Sequence, residues 1–155
     1  MIDGTKMPYS DTEVSIDKSK QKINDLLREH DTKGIQWTWI ENREVLRFIH
    51  EYEYKGQIKT LSYEIEIPEM GRYRGRGYDK RLERNDRQAY RIVWHVLKNK
   101  FVAVDCQLKT FENEFLSEIL YKLPDGSMRK VGDIILSQID KAKSIDLLEK
   151  KYQEE

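Results

Sequence analysis

Cysteine is almost absent from this chain: Cys106 is the only one among 155 residues. A lone thiol closes no internal disulfide, which excludes a stapled secreted scaffold and leads us to expect a cytoplasmic protein. Proline occurs three times and glycine eight times, too sparsely for a collagen-like or Pro/Gly-rich disordered chain. No apolar run is long enough to cross a bilayer, and the opening "MIDGTKMPYS" has no apolar stretch of the kind a secretory leader needs, so no membrane partner is expected. Net charge is lacking as well. Lys and Arg number 28 and so do Asp and Glu, so any attraction to an anionic partner must be local. There is no P-loop, no dinucleotide fingerprint and no serine-nucleophile elbow.

What the chain does have is charge and periodic apolar residues. Hydrophobic residues make up 38% and charged residues 36%, polar for a domain of this length but patterned like a folded one. Residues 1–14 show no periodicity and read as a flexible or loosely packed arm. "SIDKSKQKINDLLREH" follows, with Ile16, Ile23, Leu26, Leu27 and His30 near one helical face and Ser15 or Asp17 to cap it. The period then changes to two. Ile35, Trp37 and Trp39 share one face, as do Leu46, Phe48, His50, Tyr52 and Tyr54, and then Leu61, Tyr63, Ile65 and Ile67. Short breaks, "ENRE" and "KGQ", join these runs into an antiparallel meander, which Pro68 ends.

Tyr90, Val93, Trp94, Leu97, Phe101, Val104 and Leu108 then recur at helical spacing. They predict an amphipathic helix over 81–108, about 40 Å long, lying across the sheet. "TFENEFLSEIL" reads as a short helix capped by Thr110, "LPDGS" as a turn, and "VGDIILSQID" and "SIDLLEKKYQ" as short C-terminal helices. The expected fold class is α+β, with one domain over 15–140 and a C-terminal helix over 141–155.

One stretch breaks the charge balance. "GRYRGRGYDKRLERNDRQAYR", residues 71–91, carries Arg72, Arg74, Arg76, Lys80, Arg81, Arg84, Arg87 and Arg91 against Asp79, Glu83 and Asp86. Arginines can take phosphates in bidentate contact, the glycines permit close approach, and Tyr73 and Tyr78 can stack on bases. These ten residues are the expected nucleic-acid-binding set, in a loop running into the helix start. The opposing reading is a solvated loop and a helix face neutralised by its own acids, with Glu83 and Arg87 an i, i+4 pair.

Other chemistry is thinner. His30, His50 and His95 have no metal-ligand spacing, so no metal or cofactor is expected. Glu51, Glu53, Glu64 and Glu66 alternate along strands and could gather round a cation, but alternation is also how a solvent face looks, with Arg43, Arg47 and Lys59 at hand to pair them. Cys106 has no neighbouring base and reads as a buried or half-buried structural thiol. No catalytic residue is assigned.

From Asp86 onward the chain resembles a family of small uncharacterised proteins of bacteriophages and mobile elements. The shared features are an Arg-Gln-x-x-Arg helix start (Arg87, Gln88, Arg91), a Leu-Lys-x-Lys stretch (Leu97, Lys98, Lys100), Phe111 with Phe115, and a Leu-Pro-Asp-Gly turn over Leu123 to Gly126. "SKQKINDLLREHDTKGIQW" is similar to the same family's opening. The resemblance implies a phage or mobile-element setting, hence a host-cell cytoplasm, and implies no catalytic residues. The α-β-β-β-α order also resembles that of the double-stranded-RNA-binding domain, without the lysine cluster that opens that domain's last helix.

Two functions follow as expectations. One is a phage-type accessory protein binding DNA or RNA non-specifically through 72–91. The other is an interaction module, without enzymatic activity, that binds a host or virion protein through the sheet or the C-terminal helices. Arrangement separates them: an uninterrupted positive face favours the first, acids interleaved in space the second.

Overall fold

The structure, a computed structural model, describes residues 1–141. Its class is α+β, with a three-stranded antiparallel meander backed by helices. Helix α1, Ile16–Glu29, starts on Ser15, whose hydroxyl accepts from the Lys18 amide, and buries Ile23 and Leu27. Strands β2 (Lys33–Ile40), β3 (Arg43–Tyr54) and β4 (Gln57–Glu66) follow in spatial order. Two-residue turns join them, at Glu41–Asn42 and Lys55–Gly56, and all four residues have positive φ. That turn geometry matches the twist of the strands it connects. Phe48 lies opposite Tyr63 and Leu46 opposite Ile65, so the expected apolar face is one face of the sheet.

Helix α2, Asp86–Asp105, presses Val93, Leu97 and Phe101 into the same core. The short helix α3, Phe111–Glu114, begins on Thr110 as expected and adds Phe111, with Phe115 just beyond it. Phe48, Tyr63, Phe101, Phe111 and Phe115 form a continuous aromatic cluster at its centre. The Leu-Pro-Asp-Gly turn closes a hairpin of β7 (Leu120–Lys122) and β8 (Met128–Lys130), and α4, Val131–Lys141, follows. The expected helix over "SIDLLEKKYQ" lies outside the described residues. No helix among the described residues is long and apolar enough to cross a membrane.

The N-terminal two-thirds of the basic stretch differs from expectation. Residues 81–84 do not begin the long helix. Arg81–Arg84 form strand β6, paired antiparallel with β5, Met70–Arg74, and a single 3-10 turn over Gly77–Asp79 lies between them. The expected loop is therefore a hairpin. Local spacing in "RLER" suits a helix, but pairing with β5 overrides it, and Asn85 caps the true helix by accepting from the Gln88 amide.

Residues 1–14 also differ: they are docked, not a loose arm. Strand β1, Ile2–Asp3, pairs parallel with β5. Buried Gln88 donates to the carbonyls of Gly4 and Pro8 at 2.9 and 3.0 Å, and Asn85 Nδ2 donates to the Ser10 carbonyl at 3.0 Å. These long-range bonds have no local sequence period to announce them.

Candidate nucleic-acid interface

The β5–β6 register sets which side chains share a face. Arg72 lies opposite Glu83 and Arg74 opposite Arg81, while Tyr73 lies opposite Leu82 on the other side. One face of the hairpin thus carries three arginines around one glutamate. Gly75 makes the turn, with φ of +92° and space too tight for any side chain against the Asp79 carbonyl. Beyond it Arg76, Tyr78 and Lys80 stand at the tip, all exposed, and Tyr78 is wholly in solvent at 110% relative exposure. The Lys80 ammonium lies 4.7 Å above the Tyr73 ring.

Acids interleave with the strand arginines but not with the tip. Arg72 pairs with Asp11 at 2.6 Å, Arg74 and Arg81 share Glu83 at 3.5 and 2.9 Å, and Arg84 pairs with Asp86 at 2.5 Å. The hydrogen bond from Arg84 to Asp86 also raises the guanidinium's pKa above its ordinary value. None of the carboxylates among the described residues pairs with Arg76, Lys80, Arg87 or Arg91. Exposed ion pairs contribute about 0–1 kcal/mol, so the paired arginines can still trade a carboxylate for another anion. Their far field is nonetheless cancelled.

Arg87 opens a second part of the surface. A polar groove of about 590 Å³ runs between the 10–13 segment, the hairpin and the start of α2, and Arg72, Arg74, Arg84 and Arg87 line it together with Asp11, Glu13 and Asp86. Four cations against three acids leave the groove close to neutral. Arg91, one turn further along α2, stacks its guanidinium 4.5 Å from the Trp94 ring. The ten expected residues are therefore not one surface: Arg76, Tyr78 and Lys80 form the tip, Arg72, Tyr73, Arg74, Arg81 and Arg84 form an ion-paired stem, and Arg87 and Arg91 belong to the helix.

The other titratable groups have structural surroundings. His50 stacks on Phe111 at 3.8 Å, and burial lowers its pKa despite Glu112 at 3.3 Å. His30 stacks on Phe101 and reaches Asp105 at 2.9 Å. Glu66 pairs with Arg43 and Lys130, Glu64 with Arg47, and Glu51 with Lys33, so these sheet carboxylates face cations. Among the described residues no group of three or more His, Cys, Asp or Glu is placed to hold a metal ion. Cys106 corrects an expectation: it caps the C-terminus of α2 and is exposed, because the apolar face of the helix ends at Phe101 and Val104.

Sequence reasoning missed two groups. Glu44, in the break read as a polar turn, is on the inward face of β3, two residues before Leu46, and is only 6% exposed. Lys20 donates to it at 2.7 Å and the Tyr90 hydroxyl donates to its other oxygen. The second group is Lys22 and Lys98 beside Trp94. The available signal was the run 87–104, which holds no acid at all.

Comparison of the chain with protein-family models, with curated proteins and with solved structures gives no match.

Proposed function

We propose that the protein binds nucleic acid without sequence preference, as a small accessory protein of phage type, and that the β5–β6 hairpin makes the contact. The observation that carries this reading is the tip. Arg76 and Lys80 are exposed cations with no carboxylate partner among the described residues, and fully exposed Tyr78 stands between them. Unpaired cations follow a phosphate backbone, and an exposed ring stacks on any base, which suits binding without sequence readout. Arg74 and Arg81 stand directly behind the tip, held only by a half-buried carboxylate, Glu83. The phage setting comes from the motif resemblance alone.

The interleaved acids favour a second reading, an interaction module for a host or virion protein. A surface of arginine and tyrosine with its charge mostly cancelled has the composition of protein contact sites. Trp39, Tyr54 and Ile58 on the meander and Ile135, Leu136 and Ile139 on α4 are exposed apolar side chains available to such a partner.

Fluorescence polarisation with labelled single-stranded DNA, duplex DNA and RNA, titrated at several salt concentrations, separates the two. Micromolar binding that weakens steeply with salt, and that is reduced by Arg76→Ala with Lys80→Ala, supports the first. No binding to any of the three at low salt removes it and leaves the protein partner.

A further inference from the structure

Three cations meet around one indole on the helical side of the molecule. Lys22 of α1 lies 4.9 Å from the Trp94 ring centre, Arg91 4.5 Å and Lys98 5.3 Å. Among the described residues no carboxylate pairs with any of them, whereas the stem arginines of the hairpin all have one. Like charges so close repel, and the stretch 87–104 holds no acid to relieve them. Arg91 Nη1 is moreover buried with no hydrogen-bond partner among the described residues, an unusual condition for a guanidinium donor.

Helix geometry extends this cluster toward the hairpin. At 3.6 residues per turn, Arg87, Arg91, Trp94 and Lys98 fall within an arc of about 60° on α2 and extend over about 16 Å of its axis. Arg87 also lines the groove shared with Arg72, Arg74 and Arg84. The row is thus continuous with the hairpin surface and long enough to meet several backbone phosphates. The neighbouring imidazole is affected by the same field. The pKa of His95 is lowered, first by burial and then by Arg91, Lys98 and Lys22.

We infer that Arg87, Arg91 and Lys98 of α2, with Lys22 of α1, form a phosphate-binding row for a nucleic-acid backbone, set around Trp94 and distinct from the hairpin tip. The inference rests on the proposed nucleic-acid reading and moves much of its contact surface from the hairpin to the helices. Trp94 acts here as a platform that holds the cations in place, since all three lie against its ring. An acidic peptide is the competing occupant. The row of cations along the helix, spaced about one turn apart on either side of Trp94, fits a regularly spaced backbone better.

The test uses the full chain and labelled single-stranded DNA, with polarisation read across a salt series. Lys22→Gln with Lys98→Gln changes only exposed side chains and so keeps the fold, which a melting curve checks. We expect roughly tenfold weaker binding and a salt slope shallower by about one and a half, the loss of two phosphate contacts on a single strand. The hairpin variant Arg76→Ala with Lys80→Ala is measured beside it. If the hairpin variant loses binding and the helix variant does not, the row is overturned while the nucleic-acid reading stands. If the parent binds a labelled poly-glutamate peptide but no nucleic acid, both are overturned.

Discussion

Gln88 Nε2 donates to the backbone carbonyl of Gly4 at 2.9 Å, joining residues 84 positions apart. Its side chain is fully buried, and it also donates to Pro8 and accepts from Asn85. Gln88→Leu is expected to leave the buried Gly4 carbonyl unpaired in the interior and to cost about 1–3 kcal/mol. Urea denaturation measures the loss, and hydrogen exchange at residues 2–5 should accelerate more than in β3. Unchanged stability and exchange would mean that the N-terminal segment is not held by this amide.

Glu44 is the buried acid on which α1, β3 and α2 converge. Tyr90→Phe removes one of its two donors and is expected to cost about 1–2 kcal/mol. Lys20→Met removes the one cation paired with it among the described residues and leaves a carboxylate in the core, a larger loss, held to about 2–3 kcal/mol because Lys20 is partly exposed and the pair is partly screened. The double variant should cost less than the two losses added, because both act on one carboxylate. Simple additivity in thermal or urea unfolding would argue against the shared contact.

The meander was legible because Leu46, Phe48 and His50 alternate with Arg47 and Ile49, and both turns fall where two-residue connections permit positive φ. α2 was legible in its interior, where Val93, Leu97 and Phe101 repeat, but not at its start. Glu83 and Arg87 have the spacing of a helical i, i+4 pair, and only the pairing of 81–84 with β5, set by the fold, makes that segment a strand. For the site, composition located the cations and could not say which were neutralised. Asp11 reaches Arg72 from sixty-one positions upstream, a contact without any local pattern. The acid-free face of α2 was readable from Arg87, Arg91 and Lys98. Lys22, from α1, joins it only through helix packing.

His50 makes the fold sensitive to acid. Burial holds its pKa below the ordinary 6.5, and this outweighs the opposing pull of Glu112. The unfolded chain then binds the proton more readily than the folded one. The contribution of His50 is thus constant above about pH 6.5 and turns unfavourable as pH falls below it, until the folded-state pKa is passed. His50→Gln should flatten the dependence of unfolding free energy on pH in the window that opens below about 6.5. If parent and variant keep parallel profiles through that window, His50 is not the group responsible.

Stem and tip arginines should differ when removed. Arg72→Ala frees Asp11, and Arg74→Ala leaves Glu83 with Arg81 alone, so each deletion removes a cation that was already neutralised. Arg76→Ala removes an unpaired one. Single-variant polarisation at fixed low salt is expected to give a larger loss for Arg76 than for Arg72, with melting temperatures of Arg74 and Arg76 variants close to the parent. Equal losses would mean that the ion pairs open fully on binding and that pairing in the free protein does not predict contact.

His95 offers a reporter for the helical row. Tyr9 stacks on it at 4.3 Å from the N-terminal segment, and Arg91 and Lys98 on its own helix and Lys22 on α1 surround it with positive charge. A phosphate backbone lying along these cations cancels the field that helps to depress the imidazole, so its pKa should rise on binding. By linkage, affinity then increases as pH falls through the bound-state value toward the free-state value, and is flat above. NMR of the His95 ring in the full chain, titrated with and without a saturating oligonucleotide, reads this directly. Lys22→Gln with Lys98→Gln should both raise the free-state pKa and shrink the shift on binding. An unchanged His95 titration in a protein that demonstrably binds the oligonucleotide would place the backbone elsewhere, at the hairpin tip alone.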